Sequence, residues 1–519
     1  MSIAAERVPF PAMRRPFART WVLAGMLSGV LAILVAHYPL GIGADYPNHL
    51  ARTYIEGWLS QSQALQQYFQ LEFKIVPDLS MDMIIPWLSH LIGTYEAGAV
   101  TVWMALALPA LAGVVISRRV HGDAAGWLPL IGFAAAFNMS MQWGFINYAL
   151  STGLALFALW GWMRSGAGWR RALLFAPLSA VLALNHGFAF LLFGYMAVLF
   201  EGSRFAIGER GNRFAFARGL MLRDAIAFLP GLAVILLAAM DSSDLPKSGG
   251  AMFDLASKFA ATTAGFQFFN PLVALFATLG VGGGLYLGLR RGVLTMDRDL
   301  GIICAGLIGL IVIAPVYALG IWGAHLRFTA VLFILLGAAV RFSPDATDTA
   351  KRTAHIAIAA LLAVVFINGG AHLSRTDAEL QEIRTALQTV EPGSKLIQAI
   401  DEPRGLSGAL HSSALAVIDR QAYVPHLFTN TSPVAIQPHM AALHRPQGKP
   451  VEKTTLEAAA AVPPVESANG HWSVFYYHGW TETFDYVLYH RLPGAAHLDV
   501  DGLTVAYESD TTVIYKIDR

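Results

Sequence analysis

Apolar runs of about twenty residues recur through the first 370 residues, separated by short segments that carry arginine. Each run is long enough to cross the ~30 Å hydrocarbon core of a bilayer as a helix. The runs lie near residues 20–38, 95–117, 126–142, 145–163, 172–184, 187–201, 222–240, 272–289, 301–319, 326–341 and 353–370. The fold class that follows is an α-helical polytopic membrane protein of about eleven transmembrane helices. Composition agrees: charged residues are 14% of the 519 and mean hydropathy is +0.50, where a soluble chain carries roughly 25% charge. A wholly soluble enzyme, a disordered chain and a collagen-like one are excluded. The lone Cys304 rules out a disulfide scaffold or a cysteine zinc site. A formal net charge of +1 lacks the basic footprint of a nucleic-acid binder.

Charge divides the chain in two. Residues 371–519 hold 11 basic and 17 acidic side chains, whereas residues 1–370 hold 25 and 18. The first part reads as a membrane domain with a long outer loop over 41–80, the second as a periplasmic α/β domain of ordinary polarity. The distribution of basic residues orients both. The stretch 172–201 is interrupted by Asn185-His186-Gly187 and is split into a tight hairpin. With the N-terminus inside, 20 of the 25 basic residues of the first part then fall on the cytoplasmic side, Arg171 and the five-arginine loop 204–223 among them. Arg52, Lys74, Lys247, Lys258 and Arg327 remain outside. The expectation is a multi-pass protein of a bacterial inner membrane. Gly41-Ile-Gly-Ala44 is small enough to suggest signal cleavage, but the run before it exceeds a signal peptide's apolar region, so an uncleaved anchor is expected.

Chemistry-bearing residues gather on the outer face. The first outer loop opens Asp45-Tyr-Pro-Asn-His-Leu-Ala-Arg52, with Pro47 suited to a first helical turn and His49 and Arg52 sharing one face. Amphipathic helices along the membrane surface are expected over Asn48–Leu59 and Ser62–Leu71, and Asp78 and Asp82 follow. An N-cap is an ordinary role for Asp45. Its company, an imidazole and a guanidinium at the membrane boundary, argues for a catalytic one. His186, His325 and Arg327 come from two further outer turns and are ionisable groups at the membrane edge. Asp45 is the candidate catalytic residue; His49, Arg52, Asp82, His186, His325 and Arg327 are the candidate substrate-binding residues. Gln142 and Asn147 read as helix–helix contacts, and Trp143 and Trp322 as interfacial anchors. Lys247 and Lys258 read as part of a solvated, mobile loop over 241–271.

In the tail a helix is expected over 375–391, a strand at Lys395–Ile400, a helix over His411–Asp419 and a linker at Pro463–Asn469. Strands are expected at Trp472–Tyr477, Phe484–His490, Leu503–Tyr507 and Thr512–Ile517.

The acidic segment after the first span, the helix count and the tail together resemble the GT-C class of integral membrane glycosyltransferases. Ala422-Tyr-Val-Pro-His-Leu-Phe428 and Phe484-Asp-Tyr-Val-Leu488 are similar to stretches in bacterial members. The resemblance implies a polyprenyl-phosphate sugar donor and a lipid, glycan or protein acceptor. It also implies Asp45 as the acid/base carboxylate; direct displacement at the anomeric carbon would invert its configuration. No cofactor is expected, and a divalent metal is disfavoured: several members pair acidic residues here, whereas Asp45 stands apart from Asp78 and Asp82. The rival classes are a lipid or glycan transporter or flippase, and a non-catalytic subunit of an envelope polysaccharide machine. The first is weakened by the lack of an obvious internal repeat.

Overall fold

The computed structural model describes residues 15–166, 168–207, 223–241, 254–318, 321–401, 408–429, 432–446, 448–465 and 472–519. Lys247 and part of the Pro463–Asn469 linker lie outside the described residues. The chain is predominantly helical, with a small sheet near the C-terminus.

The principal helices are α1 (Arg15–His37), α2 (Tyr46–Trp58), α3 (Ser80–Ile92), α4 (Thr94–His121), α5 (Ile146–Arg164), α6 (Trp169–Asn185) and α7 (Gly187–Ile207). They continue with α8 (Leu229–Asp241), α9 (Leu255–Thr263), α10 (Pro271–Arg290), α11 (Arg298–Ile313), α12 (Phe328–Ala339), α13 (Asp348–Leu387) and α14 (Leu415–Arg420). Among the described residues, five helical stretches are long and apolar enough to cross a membrane: Arg19–His37, Thr94–Ala125, Gly187–Phe205, Pro271–Arg290 and Asp348–Leu387. Ala225–Met240 and Ala324–Ala339 are shorter apolar helices. The chain breaks between α6 and α7 at His186, whose backbone is extended.

The run 126–142 is not one helix. It is divided into short turns at Leu128–Leu130, Ile131–Ala134 and Met139–Trp143. Asn138 starts the last of these by accepting the Ser140 and Met141 amides at 2.9 and 3.3 Å, and Gly144, at φ +86°, ends it. Gln142 and Asn147 do join elements. Gln142 accepts the Phe269 amide at 2.8 Å, and Asn147 accepts the Met81 amide at 2.8 Å while donating to the Asp78 carbonyl at 2.8 Å.

The helix ends sort into two groups by their contacts. At one end, Thr20 bonds the Gly126 carbonyl and Ser203 bonds Asp299. There Arg171, which the sequence places among the loop arginines, is 1% exposed and clamped by Glu201 at 2.6 Å and Asp224 at 2.5 Å. Breaking such a buried pair leaves uncompensated charge, at a cost of about 3–5 kcal/mol. At the other end lie α2, the turn before α5, His186, the start of α12 and the tail.

The segment 41–80 departs from expectation. The helix α2 does form, but Tyr46–Thr53 are all buried, so it is packed inside the protein rather than laid on a membrane surface. The segment 62–71 is not a second helix. After one turn at Gln63–Gln66, β1 (Phe69–Leu71) pairs antiparallel with β3 (Val434–Ile436), Phe69 opposite Ile436. The tail thus supplies the partner strand, which the local sequence does not reveal.

The expected span 353–370 and tail helix 375–391 are one 40-residue helix, α13, so the boundary near residue 370 falls inside a continuous rod. Gly369 does not break it, being pressed against the Phe137 ring. The tail sheet has the order β6-β7-β5-β2-β4, with β2 (Leu396–Ile400), β4 (Val451–Glu452), β5 (Tyr486–His490), β6 (Leu503–Glu508) and β7 (Thr512–Ile517). The β2 strand runs parallel to β4 and β5, and the other pairs are antiparallel. Every residue of β2 and β5 is buried, as expected of strands paired on both sides, with the polar Gln398 and His490 satisfied by Ser412. Trp472–Tyr477 is not a strand. Val474–Gly479 is a turn, in which Val474 and Phe475 are both exposed and Tyr476 points inward, so the alternation a strand face needs is missing.

Candidate active site

Asp45 is positioned by a crossing of two backbones. Its amide donates to the Trp143 carbonyl at 3.1 Å. Gly43 (φ +38°) and Gly144 (φ +86°) make the crossing possible: a Cβ on Gly144 would lie 2.9 Å from the Tyr46 nitrogen, and one on Gly43 would lie 2.3 Å from the Gly144 nitrogen. Gly41 likewise abuts the Leu373 backbone, so these small residues serve close packing. Asp45 occupies the N-cap of α2, yet its side chain makes no capping bond. Pro47, at the second helical position, has no amide hydrogen to offer. The carboxylate, 18% exposed, instead faces His411 of the tail, Nε2 to Oδ1 3.4 Å.

One turn on, His49 donates its amide to the Asp45 carbonyl at 3.1 Å. Its ring is buried edge-on against Phe428 at 5.2 Å, with Nδ1 unpartnered. Burial, seconded by Arg52 and His411, lowers its pKa well below the usual range, so the ring is neutral. Asn48, between them, grips the tail: its amide donates to the His426 carbonyl and its oxygen accepts the Phe428 amide, both at 2.8 Å. Two of the sequence stretches behind the family resemblance, Asp45–Arg52 and Ala422–Phe428, therefore pack on one another.

Arg52 is fully buried and committed to carboxylates, with Asp82 at 2.7 Å, the Asp78 carbonyl at 3.0 Å and the Asp78 carboxylate at 3.8 Å. Glu56 shares this cluster. Burial first, then the neighbouring Asp82, raises its carboxyl to about 10, so it keeps its proton. Burial, against the pull of Arg52, raises Asp78 to about 7. His186 accepts the Phe188 amide at Nδ1, 3.1 Å, which places its proton on Nε2, 3.9 Å from Asp78. Arg52 and Asp82 thus hold each other.

Arg327 is different. It is 4% exposed, and its guanidinium sits over the rings of Phe145, Tyr148 and Phe188, with centroids at 4.0, 5.1 and 5.8 Å. The Tyr148 hydroxyl fixes its backbone by bonding the Arg327 carbonyl at 2.7 Å. Its Nε is buried without a partner, and among the described residues no carboxylate is within ion-pair distance. The carboxylates whose charge it feels are Asp78 and Asp45. His325, two residues earlier, turns away toward the start of α9, where the charges it feels are those of Lys258 and Asp254. Lys258 itself is not solvated: it is 9% exposed and donates to the Ile311 and Ala314 carbonyls at the end of α11. Trp143 and Trp322 pack on each other edge-to-face, with centroids 4.4 Å apart.

The structure thus gathers Asp45, His49, Arg52, Asp82, His186 and Arg327 at one end of the helical body and sets His325 apart. Sequence reasoning misses His411, Glu56 and the aromatic cage. His411 lies in a stretch with no motif, and its relation to Asp45 exists only once the tail is folded.

No protein-family model and no curated protein matches this chain. Among solved structures, ArnT from Cupriavidus metallidurans bound to undecaprenyl phosphate superposes over 96% of this chain and 98% of that one, with TM-score 0.55 and 11% identity. Its apo form aligns with the same coverage at TM-score 0.49 and 12% identity. At such identity the likeness to the lipid-bound structure is one of fold: this chain has an ArnT-like architecture of a helical body with several apolar helices and a C-terminal sheet.

Proposed function

We propose that the protein is a membrane glycosyltransferase. It moves a sugar from a polyprenyl-phosphate donor to a lipid, glycan or protein acceptor at the periplasmic face of the inner membrane. The observation that carries this reading is Arg327, a buried, ring-caged cation without a carboxylate partner among the described residues, within electrostatic reach of a carboxylate free of any cap. A solvated guanidinium would be unremarkable at a membrane edge. A desolvated one held ready for an anion suits a phosphate. The ArnT-like fold, in a structure holding undecaprenyl phosphate, supports the same ligand class.

A phosphate-linked sugar arrives with its leaving group activated, so the protein must hold the phosphate and deprotonate the acceptor. In this reading Asp45 takes the acceptor hydroxyl proton. The acceptor oxygen bonds the anomeric carbon while the carbon–oxygen bond to phosphate breaks. The electron pair leaves with the phosphate, and Arg327 offsets the charge that develops there. A single displacement inverts the anomeric centre. Neutral His49 lines the site as a hydrogen-bonding partner for sugar hydroxyls, and the Arg52–Asp82–Asp78–Glu56 cluster fixes its floor.

Binding of undecaprenyl phosphate to the purified protein tests the anion site. Arg327→Met, which keeps the length of the side chain and removes its charge, is expected to weaken binding at least about tenfold, as loss of one charge-assisted contact does. Unchanged affinity would remove Arg327 from the site.

A further inference from the structure

We propose that His411, carried by the C-terminal tail, is the positioning partner of Asp45, so that the base is assembled from the two halves of the chain. The inference rests on the reading of Asp45 as that base. Nothing on α2 itself holds the Asp45 side chain, since the capping bond open to an N-cap aspartate is not made. The His411 Nε2, 3.4 Å from Oδ1, is what meets it.

The ring is held in place from three sides. His411 departs from helical geometry (φ −123°, ψ 25°) within the turn Gly408–Ala414. The next residue, Ser412, is fastened to β2 through Gln398 at 3.2 Å and to β5 through His490 at 2.9 Å. Phe428 lies edge-on to both His411 and His49, at 5.1 and 5.2 Å, and the backbone of Phe428 is pinned to α2 by Asn48. The sheet thus places the imidazole, and the tail-to-α2 contact delivers it to the carboxylate. A histidine that is 6% exposed at its side chain has little freedom to drift from that position.

The chemical consequence is a choice between carboxylate oxygens. In this proposal the Nε2, 3.4 Å from Oδ1, carries the ring hydrogen and engages that oxygen, which leaves Oδ2 to face the acceptor. The acceptor proton passes to Oδ2, its oxygen bonds the anomeric carbon, and the phosphate leaves with the bonding pair. His411 keeps its own proton throughout, and Asp45 returns the transferred proton to water after product leaves. His411 therefore acts through Asp45, by orientation. A misplacement of about 1 Å in a reacting group costs on the order of a hundredfold in rate.

The test uses full-length protein in a strain lacking the gene, with glycosylated products quantified by mass spectrometry per amount of protein in the membrane. His411→Phe and His411→Ala should each lower product at least about tenfold, and His411→Gln, which retains a donor, should recover it to within about threefold of the native protein. All three should bind undecaprenyl phosphate as the native protein does, which a general loss of structure would not allow. Full transfer by His411→Ala beside an inactive Asp45→Asn would overturn this inference alone, as would a glutamine variant no better than alanine. Full transfer by Asp45→Asn would remove the base, and this inference with it.

Discussion

At the residue scale, the site is a set of buried charges of which all but a few are mutually satisfied. Arg52 and Asp82 neutralise each other, Glu56 stays protonated, and His49 stays neutral. What remains is Asp45, Arg327 and, between them in charge, Asp78. With Asp78 raised by burial to about 7, the sign of its effect on an anion is fixed. Below that pH it is neutral and leaves Arg327 to the phosphate; above it the carboxylate repels the phosphate and competes for Arg327. Affinity for undecaprenyl phosphate should therefore fall as pH rises from about 6 to about 8, by up to about tenfold if only the protonated form binds. Asp78→Asn should abolish that component. The comparison with the variant cancels the ionisation of the ligand itself, and equal pH profiles for the two proteins would refute the assignment. Of these residues the sequence exposes the types and their gathering at one end of the helical body. It does not expose the pairing: that Arg52 is taken by Asp82 while Arg327 is left to aromatic rings depends on contacts among α2, α3, α5 and α12.

At the scale of elements, the position of Asp45 depends on one turn. Alanine at position 144 would meet two penalties: a left-handed backbone, about 1–2 kcal/mol, and a Cβ 2.9 Å from the Tyr46 nitrogen and 3.0 Å from that of Asp45. Gly494, at φ +79° with nothing within 4 Å of where a Cβ would stand, carries the first penalty alone. Gly144→Ala is expected to lower the melting temperature well beyond Gly494→Ala and to impair function. Equal shifts would show that the crossing does not constrain the site. The same dependence on distant partners explains which elements are legible in the sequence. Helices with long apolar runs, such as α4 and α10, are specified locally by length and composition. The β1 strand is not, because its edge is completed by Val434–Ile436. The α13 helix reads as two pieces because an apolar run ends near residue 370 and an amphipathic one begins at 375; in the structure the rod is continuous, with Gly369 packed on Phe137.

At the scale of the whole molecule, the tail is integral to the site rather than appended to it. The α13 helix leads into it without a break, β1 and β3 join it to the segment 41–80, and Tyr95 and Arg384 meet at Asp419, at 2.9 and 2.8 Å. Composition alone makes the tail look separate, since its charge differs from that of the helical body; the interface is invisible to composition because it is built of scattered polar and aromatic contacts. The orientation drawn from the arginines makes a direct prediction. A cysteine replacing exposed Asp510, in a Cys304→Ala background, should react with a membrane-impermeant maleimide in cells whose outer membrane is permeabilised. Labelling only after lysis of the inner membrane would reverse the topology. The central claim, that a carboxylate at the head of α2 performs the chemistry, is tested most directly by replacing that one group. Asp45→Asn, which alters no capping bond, is expected to reach the membrane, melt as the native protein does, bind undecaprenyl phosphate, and yet form at least about a hundredfold less glycosylated product in the deletion strain. Product at the native level from this variant would contradict the account.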